Sequence, residues 1–427
     1  MHDDEQNGLR PTFVKDLETS SSLSVCPGYR LERPRQKFQH NIEYDFGPVQ
    51  RVWEGYASDP EIRKAGSSGG AITALSTFGL EVKGFKGILH IGKSDLDPIK
   101  NQTKFNNTRS QLLANTGSRY SPASPCDGLD QIENADGPCI FIGKPCDVAA
   151  VYKAKHQSNR LDQNLGLTIA FFCAGTPSTE GTRKFLECLG VGGRQHLADL
   201  DYRGSGWPGD FKAVFQNGKA IDSVKAPYAK TWGFLTKYKQ WRCKICIDHV
   251  GEFADVSVGD PWYLTPDGNP GLSLVVARTA RGLAFVEEAM QSNYMTLKGV
   301  DISKLPAAQP SLVEARSAVW GRLFALKTLL LPVPKYKNMN GLRSWLYNLT
   351  TQEKFRSIFG THKRIILNLQ SFQLIADRLI LIKNKANYWK IYVKAVSRRV
   401  AMRIRTRSVF EAISNQKKWF KKNQDRL

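Results

Sequence analysis

The chain has 427 residues, 41% hydrophobic and 10% aromatic, enough for two or three domains with a large core and too apolar for wholesale disorder. Eight cysteines exclude a disulfide-stapled secreted fold. Lys327 interrupts the longest apolar stretch (Leu323 to Val333), and the acidic start Met1-His2-Asp3-Asp4-Glu5 is no signal peptide, so a cytoplasmic protein, soluble or peripheral to a membrane, is expected. The net charge of +22 is uneven: Leu331 to Leu427 holds 22 Lys and Arg against 4 Asp and Glu, +18, which leaves +4 for the preceding 330 residues.

Residues 1–48 read as irregular. Asp59-Pro60-Glu61 is a helix start, with Asp as N-cap and Pro at the first helical position, and Gly66 stops that helix. A second helix begins at Ala71 and runs to Leu80. Gly87 to Gly92 is a strand candidate. Cys139 to Gly143 is a short apolar run followed by a helical Asp147 to Lys155, and Leu165 to Cys173 is another, followed by helical spacing over Thr179 to Leu189. Ala254 to Val258 and Leu272 to Ala277 are further strands. The alternation predicts an α/β fold, with a mostly parallel or mixed sheet flanked by helices. The body is expected over 49–310. A helical basic region then fills 311–427, with an apolar seam at Trp389, Val393, Val396, Val400 and Ile404.

Cys243-Lys244-Ile245-Cys246 places two thiols within one turn. Alone, this spacing fits a redox pair, half a zinc site or chance. Cys146 and Cys173 follow the ends of two predicted strands, and a parallel sheet gathers such ends on one edge, where α/β proteins bind ligands. Four thiolates there suit a [4Fe–4S] cluster or an all-cysteine zinc site; the plainer alternative is two ordinary buried cysteines and an unrelated CxxC. Cys26, Cys126, Cys139 and Cys188 have no such placement.

Gly66-Ser67-Ser68-Gly69-Gly70 opens a helix, where glycines admit a close ligand and first-turn N–H groups favour an anion. Its alternative is a plain turn. Gly117-Ser118-Arg119-Tyr120 offers a cation and a ring to a phosphate or flat group, or is a surface turn. Gly143-Lys144-Pro145-Cys146 sets a cation beside a candidate ligand.

Taken in order over about residues 50–300, these pieces resemble the coenzyme F420 hydrogenase/dehydrogenase beta-subunit family, to which 7-hydroxymethyl chlorophyll a reductase also belongs. Further matching pieces are Gly55-Tyr56-Ala57 with Glu61-Ile62-Arg63, Phe172-Cys173-Ala174-Gly175, Tyr202-Arg203-Gly204 with Gly206-Trp207-Pro208-Gly209, and Ala254 to Asp260. The resemblance implies an iron–sulfur flavoprotein. Its [4Fe–4S] ligands map onto Cys146, Cys173, Cys243 and Cys246. FAD would lie against Ser67, Ser68, Gly69, Gly70 and Thr73, with Gly117, Ser118, Arg119, Tyr120 and Gly143, Lys144, Pro145 beside it. Many members carry an N-terminal ferredoxin-like segment; residues 1–48 have only Cys26 and cannot hold such a cluster, so the resemblance implies a separate ferredoxin-like electron donor.

The expected function is transfer of electrons through the cluster and FAD to an organic acceptor, a deazaflavin or a sugar intermediate of polysaccharide synthesis. The alternative is a catalytically silent assembly or scaffold protein of a polysaccharide system. The basic tail suits an anionic membrane surface or a membrane-associated partner; nucleic acid is disfavoured because no base-reading module is present.

Overall fold

Cys139–Gly143 and Ser273–Ala277 are apolar at nearly every position. In the computed structural model, which describes residues 2–4, 8–10, 22–191, 196–204, 206–217, 220–264 and 270–367, every residue of both is buried, as befits strands covered on both faces. Beyond a terminal pair, His2–Asp4 and Gly8–Arg10, the strands are β1 (Arg30–Glu32), β2 (Arg51–Ala57), β3 (Ile88–Lys93), β4 (Asn101–Asn106), β5 (Cys139–Gly143), β6 (Leu165–Phe171), β7 (His196–Asp201), β8 (Asp210–Asn217), β9 (Ala220–Pro227), β10 (Val256–Gly259), β11 (Ser273–Ala277), β12 (Met295–Gly299) and β13 (Lys335–Lys337).

The main sheet has eight strands in the order β12-β2-β11-β10-β6-β5-β3-β4. Its centre, β10-β6-β5-β3, is parallel, and both flanks are antiparallel, so the sheet is mixed. On one face Leu75 and Phe78 of α1 (Ala71–Glu81) pack with Phe285 on Ile140, Leu167, Val256 and Val275. On the other face, Val148 and Val151 of α2 (Pro145–Ala154) meet Leu89, Phe141 and Leu165. Each such side chain contributes roughly 1.5–3 kcal/mol when fully buried. A three-stranded antiparallel sheet, β9-β8-β7, has its own core around Phe185, Tyr202, Phe211 and Leu235.

Two compact units result, Met1–Ala325 with Pro332–Ile358, and Leu326–Leu331 with Phe359–Leu427, the latter described to Leu367. Within the second, Thr328 and His362 are hydrogen bonded at 2.7 Å. The expected boundaries at 48 and 310 do not hold. Leu31, Arg33 and Phe46 are buried in the first unit. Pro310 is not the start of a separate region but the first residue of α3 (Pro310–Ser317), whose Leu312 and Arg316 are buried. β13 then pairs parallel with β1, tying residues 335–337 to 30–32. The predicted helix after 310 is broken between α3 and α4 (Val319–Thr328). The seam from Trp389 to Ile404 lies outside the described residues.

Candidate cofactor site

The parallel strands β5, β6 and β10 end along one edge, and a cavity of about 320 Å³ opens there, lined by Ile142, Phe171 to Cys173 and Val258 to Asp260. Ser67, Ser68, Gly70, Thr73, Gly117, Ser118, Arg119, Tyr120 and Lys144 also line it; Gly69, Gly143 and Pro145 do not.

The glycine-serine loop forms one wall. Gly70 (φ +75°) enters α1 with no side-chain cap, and Ala71, Ile72 and Thr73 of the first turn line the cavity. An uncapped first turn there presents backbone donors and the positive dipole end. Ser67 joins three segments: its Oγ donates to the Arg203 carbonyl at 2.9 Å and accepts from the Ser118 N–H at 2.6 Å. Ser68 Oγ donates to the Leu272 carbonyl at 2.6 Å. These hydroxyls therefore shape the wall. A Cβ at Gly69 would meet the Gly55 carbonyl at 2.5 Å and the Ser273 nitrogen at 2.7 Å, so this glycine is required by strand packing beneath the loop. The Arg119 guanidinium donates to the Leu200 carbonyl (2.7 Å), the Lys100 and Pro98 carbonyls and Asn101 Oδ1, which makes it a brace of the wall.

An aromatic part of the wall, of which the sequence motifs point only to Tyr120, adjoins the glycine-serine loop at Arg203. Arg203 grips Asp260 with two 2.8 Å bonds and lies over the rings of Tyr228 and Trp262 (4.9 and 5.3 Å to their centroids), which stack on each other at 5.5 Å and 6°. Tyr120 packs on Trp232 at 4.9 Å. The signal was available, since Arg203 and Asp260 both fall in pieces that carry the resemblance, but their sequence separation of 57 hides the pairing. His90, also in the wall, is held neutral: burial pushes its pKa down to about 4, while Nδ1 bonds the Ile91 carbonyl and Nε2 the Asn106 amide.

Cys173 belongs both to this cavity and to a group of four thiols. Cys146 follows β5 in the first turn of α2, which Asp147 caps by accepting the Lys144 N–H at 3.0 Å and its Nζ at 2.6 Å. Cys173 follows β6. The chain after it pairs back with the segment before the CxxC: Gln240 donates to the Thr176 carbonyl (3.1 Å), and the Thr176 N–H to Cys243 Sγ (3.3 Å). Cys146 and Cys173 feel each other's charge, as do Cys173 and Cys243, and Cys246 feels both Cys146 and Cys243. Burial, then Asp147, pushes Cys146 up to about 12; burial, then Cys243, pushes Cys173 up to about 11; burial, then Cys146, raises Cys246 well above its usual value. Arg242, raised chiefly by Cys146, and Lys144 supply compensating cations.

Two carbonyls of the CxxC and that of the residue after it are taken up by the chain beyond 310. Arg322 donates to Lys244 O (2.6 Å), Tyr336 Oη to Ile245 O (2.8 Å) and Arg316 to Ile247 O (2.5 Å). Arg316 and Arg33 both pair with Glu252, all three buried.

The chain matches the N-terminal part of the coenzyme F420 hydrogenase/dehydrogenase beta subunit over residues 52–129, and the C-terminal part of the same protein over residues 138–303. It belongs to this family of oxidoreductase subunits. It is 25% identical over 295 residues to the coenzyme F420 hydrogenase subunit beta of Methanococcus voltae, covering 68% of this chain and 99% of that one. It is 25% identical over 243 residues to the F420-dependent formate dehydrogenase subunit beta of Methanocaldococcus jannaschii, covering 57% and 60%. A chain of the F420-reducing [NiFe] hydrogenase complex from Methanosarcina barkeri shares the fold, with a TM-score of 0.52 and 22% identity over 67% of this chain and 96% of that one.

Proposed function

We propose that the chain is an FAD-dependent iron–sulfur oxidoreductase that draws electrons from a ferredoxin-like protein and reduces a flat organic acceptor. The supporting observation is that Cys173 and Lys144 line the cavity and also neighbour the other thiols, an arrangement that suits two redox groups held side by side. Among the described residues no three His, Cys, Asp or Glu side chains close in as ligands of one metal ion. Four thiols drawn from two strand ends and a CxxC are the donor set of a [4Fe–4S] cluster, and the family resemblance favours it over an all-cysteine zinc site. The first turn of α1 suits the FAD pyrophosphate. When bound, the cluster carries single electrons and FAD collects two for hydride transfer.

The residues of the chain hold and orient. Lys144, fixed by Asp147, keeps a positive charge between thiols and cavity. Arg203, anchored by Asp260, holds Tyr228 and Trp262 as a platform for a planar acceptor; the relatives' names favour a deazaflavin over a sugar intermediate. Anaerobic purification tests the proposal. About four irons, four labile sulfides and one FAD per chain are expected; zinc in place of iron, or absence of flavin, overturns it. Peripheral membrane attachment through the basic region is proposed as well. No described helix is long and apolar enough to cross a membrane, and co-sedimentation with anionic vesicles, compared with a chain ending at Leu367, tests the attachment.

A further inference from the structure

We infer that the surface over the CxxC loop, built jointly by residues 228–247 and by α3, α4 as far as Ala325, β13 and α5 (Gly341–Tyr347), all within the first compact unit, docks a small acidic electron-transfer protein. Residues 228–247 hold five Lys and Arg and no Asp or Glu, and residues 332–347 hold three and none. The Arg322 and Tyr336 bonds to the CxxC carbonyls bring these two basic segments together at the loop. Gly341 adjoins the residue after Cys246: its Cβ position lies 3.5 Å from Ile247 Cδ1 and 3.9 Å from Trp320 Cβ.

Trp320 stacks on Phe324 and packs on Trp345. Phe324, Leu342, Leu346 and Tyr347 are 43%, 47%, 45% and 78% exposed, a cluster of large apolar side chains left facing solvent. An apolar centre with a polar rim is the anatomy of a protein interface, and the predominant sign of the rim's charge selects the partner. Lys237 and Lys335, one in each of the two basic segments, are exposed. Lys337 is offset by Glu32 at 3.7 Å, so Lys237 and Lys335 carry the positive character of the surface. The surface extends beyond the family match, which ends at residue 303.

A partner seated there puts its own centre over Cys243 and Cys246. The step is transfer of one electron: the partner's centre is oxidised, the group held by the cysteines is reduced, and no bond forms or breaks. This rests on the proposed cluster, but docking itself is measurable without turnover. The probe is an oxidised acidic bacterial-type ferredoxin, and the readout is its equilibrium binding to the full-length chain against salt concentration. The double reversal Lys237→Glu with Lys335→Glu should weaken binding at least ten-fold at low salt and flatten the salt dependence, since screening acts over about 8–10 Å. Leu346→Ser, which removes exposed apolar surface and changes no charge, should weaken it without changing the salt slope. Wild-type affinity in both variants overturns the surface. So does loss of anionic-vesicle binding with ferredoxin binding intact, which assigns the patch to a membrane. Iron content, assayed separately, tells failure of the cluster from failure of the surface.

Discussion

The two walls of the site are held by opposite means. The glycine-serine wall is set by steric fit between neighbouring backbones, all within the family match: a methyl group at Gly69 has no room above Gly55 and Ser273. The thiol wall is set by charge and by carbonyl acceptors, and its donors Arg316, Arg322 and Tyr336 come from beyond that match. A close-packed wall fails if anything is added. A braced wall fails if anything is taken away, even far along the chain.

The sharpest break is Cys243→Ser. Iron should fall from about four per chain to near zero, with the broad visible absorption lost, while flavin stays bound to the other wall. Retained iron separates Cys243 from the ligand set. Next, Arg316→Met removes a buried donor shared by Glu252 and the Ile247 and Met339 carbonyls, and should cost about 3–5 kcal/mol in thermal or denaturant unfolding with earlier iron loss than flavin loss. An unchanged melting temperature removes the brace from the comparison.

His90 gives a pH-dependent test on the cavity. Burial lowers its pKa to about 4, so the folded state binds fewer protons than the unfolded state. Its stabilising contribution is full above the unfolded value of about 6.5 and is lost as pH falls towards 4, a drop of about 2–3 kcal/mol. His90→Gln should flatten that acid limb in unfolding curves taken from about pH 7 to about pH 4.5. Smallest is Ser67→Ala, which unlinks the loops at 118 and 203 and should weaken FAD about ten-fold by fluorescence titration, near the roughly 1.4 kcal/mol expected of a lost hydrogen-bonding hydroxyl.

What the sequence reveals follows the same division. β5, α1 and α2 are legible because their apolar residues recur at strand or helix period, and the placement of Cys146 and Cys173 follows from those elements. β4, Asn-Gln-Thr-Lys-Phe-Asn, is half-exposed along most of its length and offers no apolar alternation to detect. β7 to β9 form a small sheet whose strands mix charge with burial. Pro310 marks a helix start as readily as a linker, and nothing local reveals that the helix it opens stays on the body. The carbonyl brace is a long-range contact, invisible to any window on the chain. Val substituted at Gly69, which the loop motif alone suggests as a probe of flavin binding, would instead disrupt the strands beneath.

The pairing of β13 with β1 also bears on biosynthesis. Met339, whose carbonyl anchors Arg316, emerges from the ribosome 93 residues after Cys246. At about 5–20 residues per second that is an interval of roughly 5–20 s in which all four thiols are exposed to the cell without their brace. Loading of the proposed cluster would thereby follow synthesis of residue 339, and a nascent chain stalled before that point would present the four thiols without their brace.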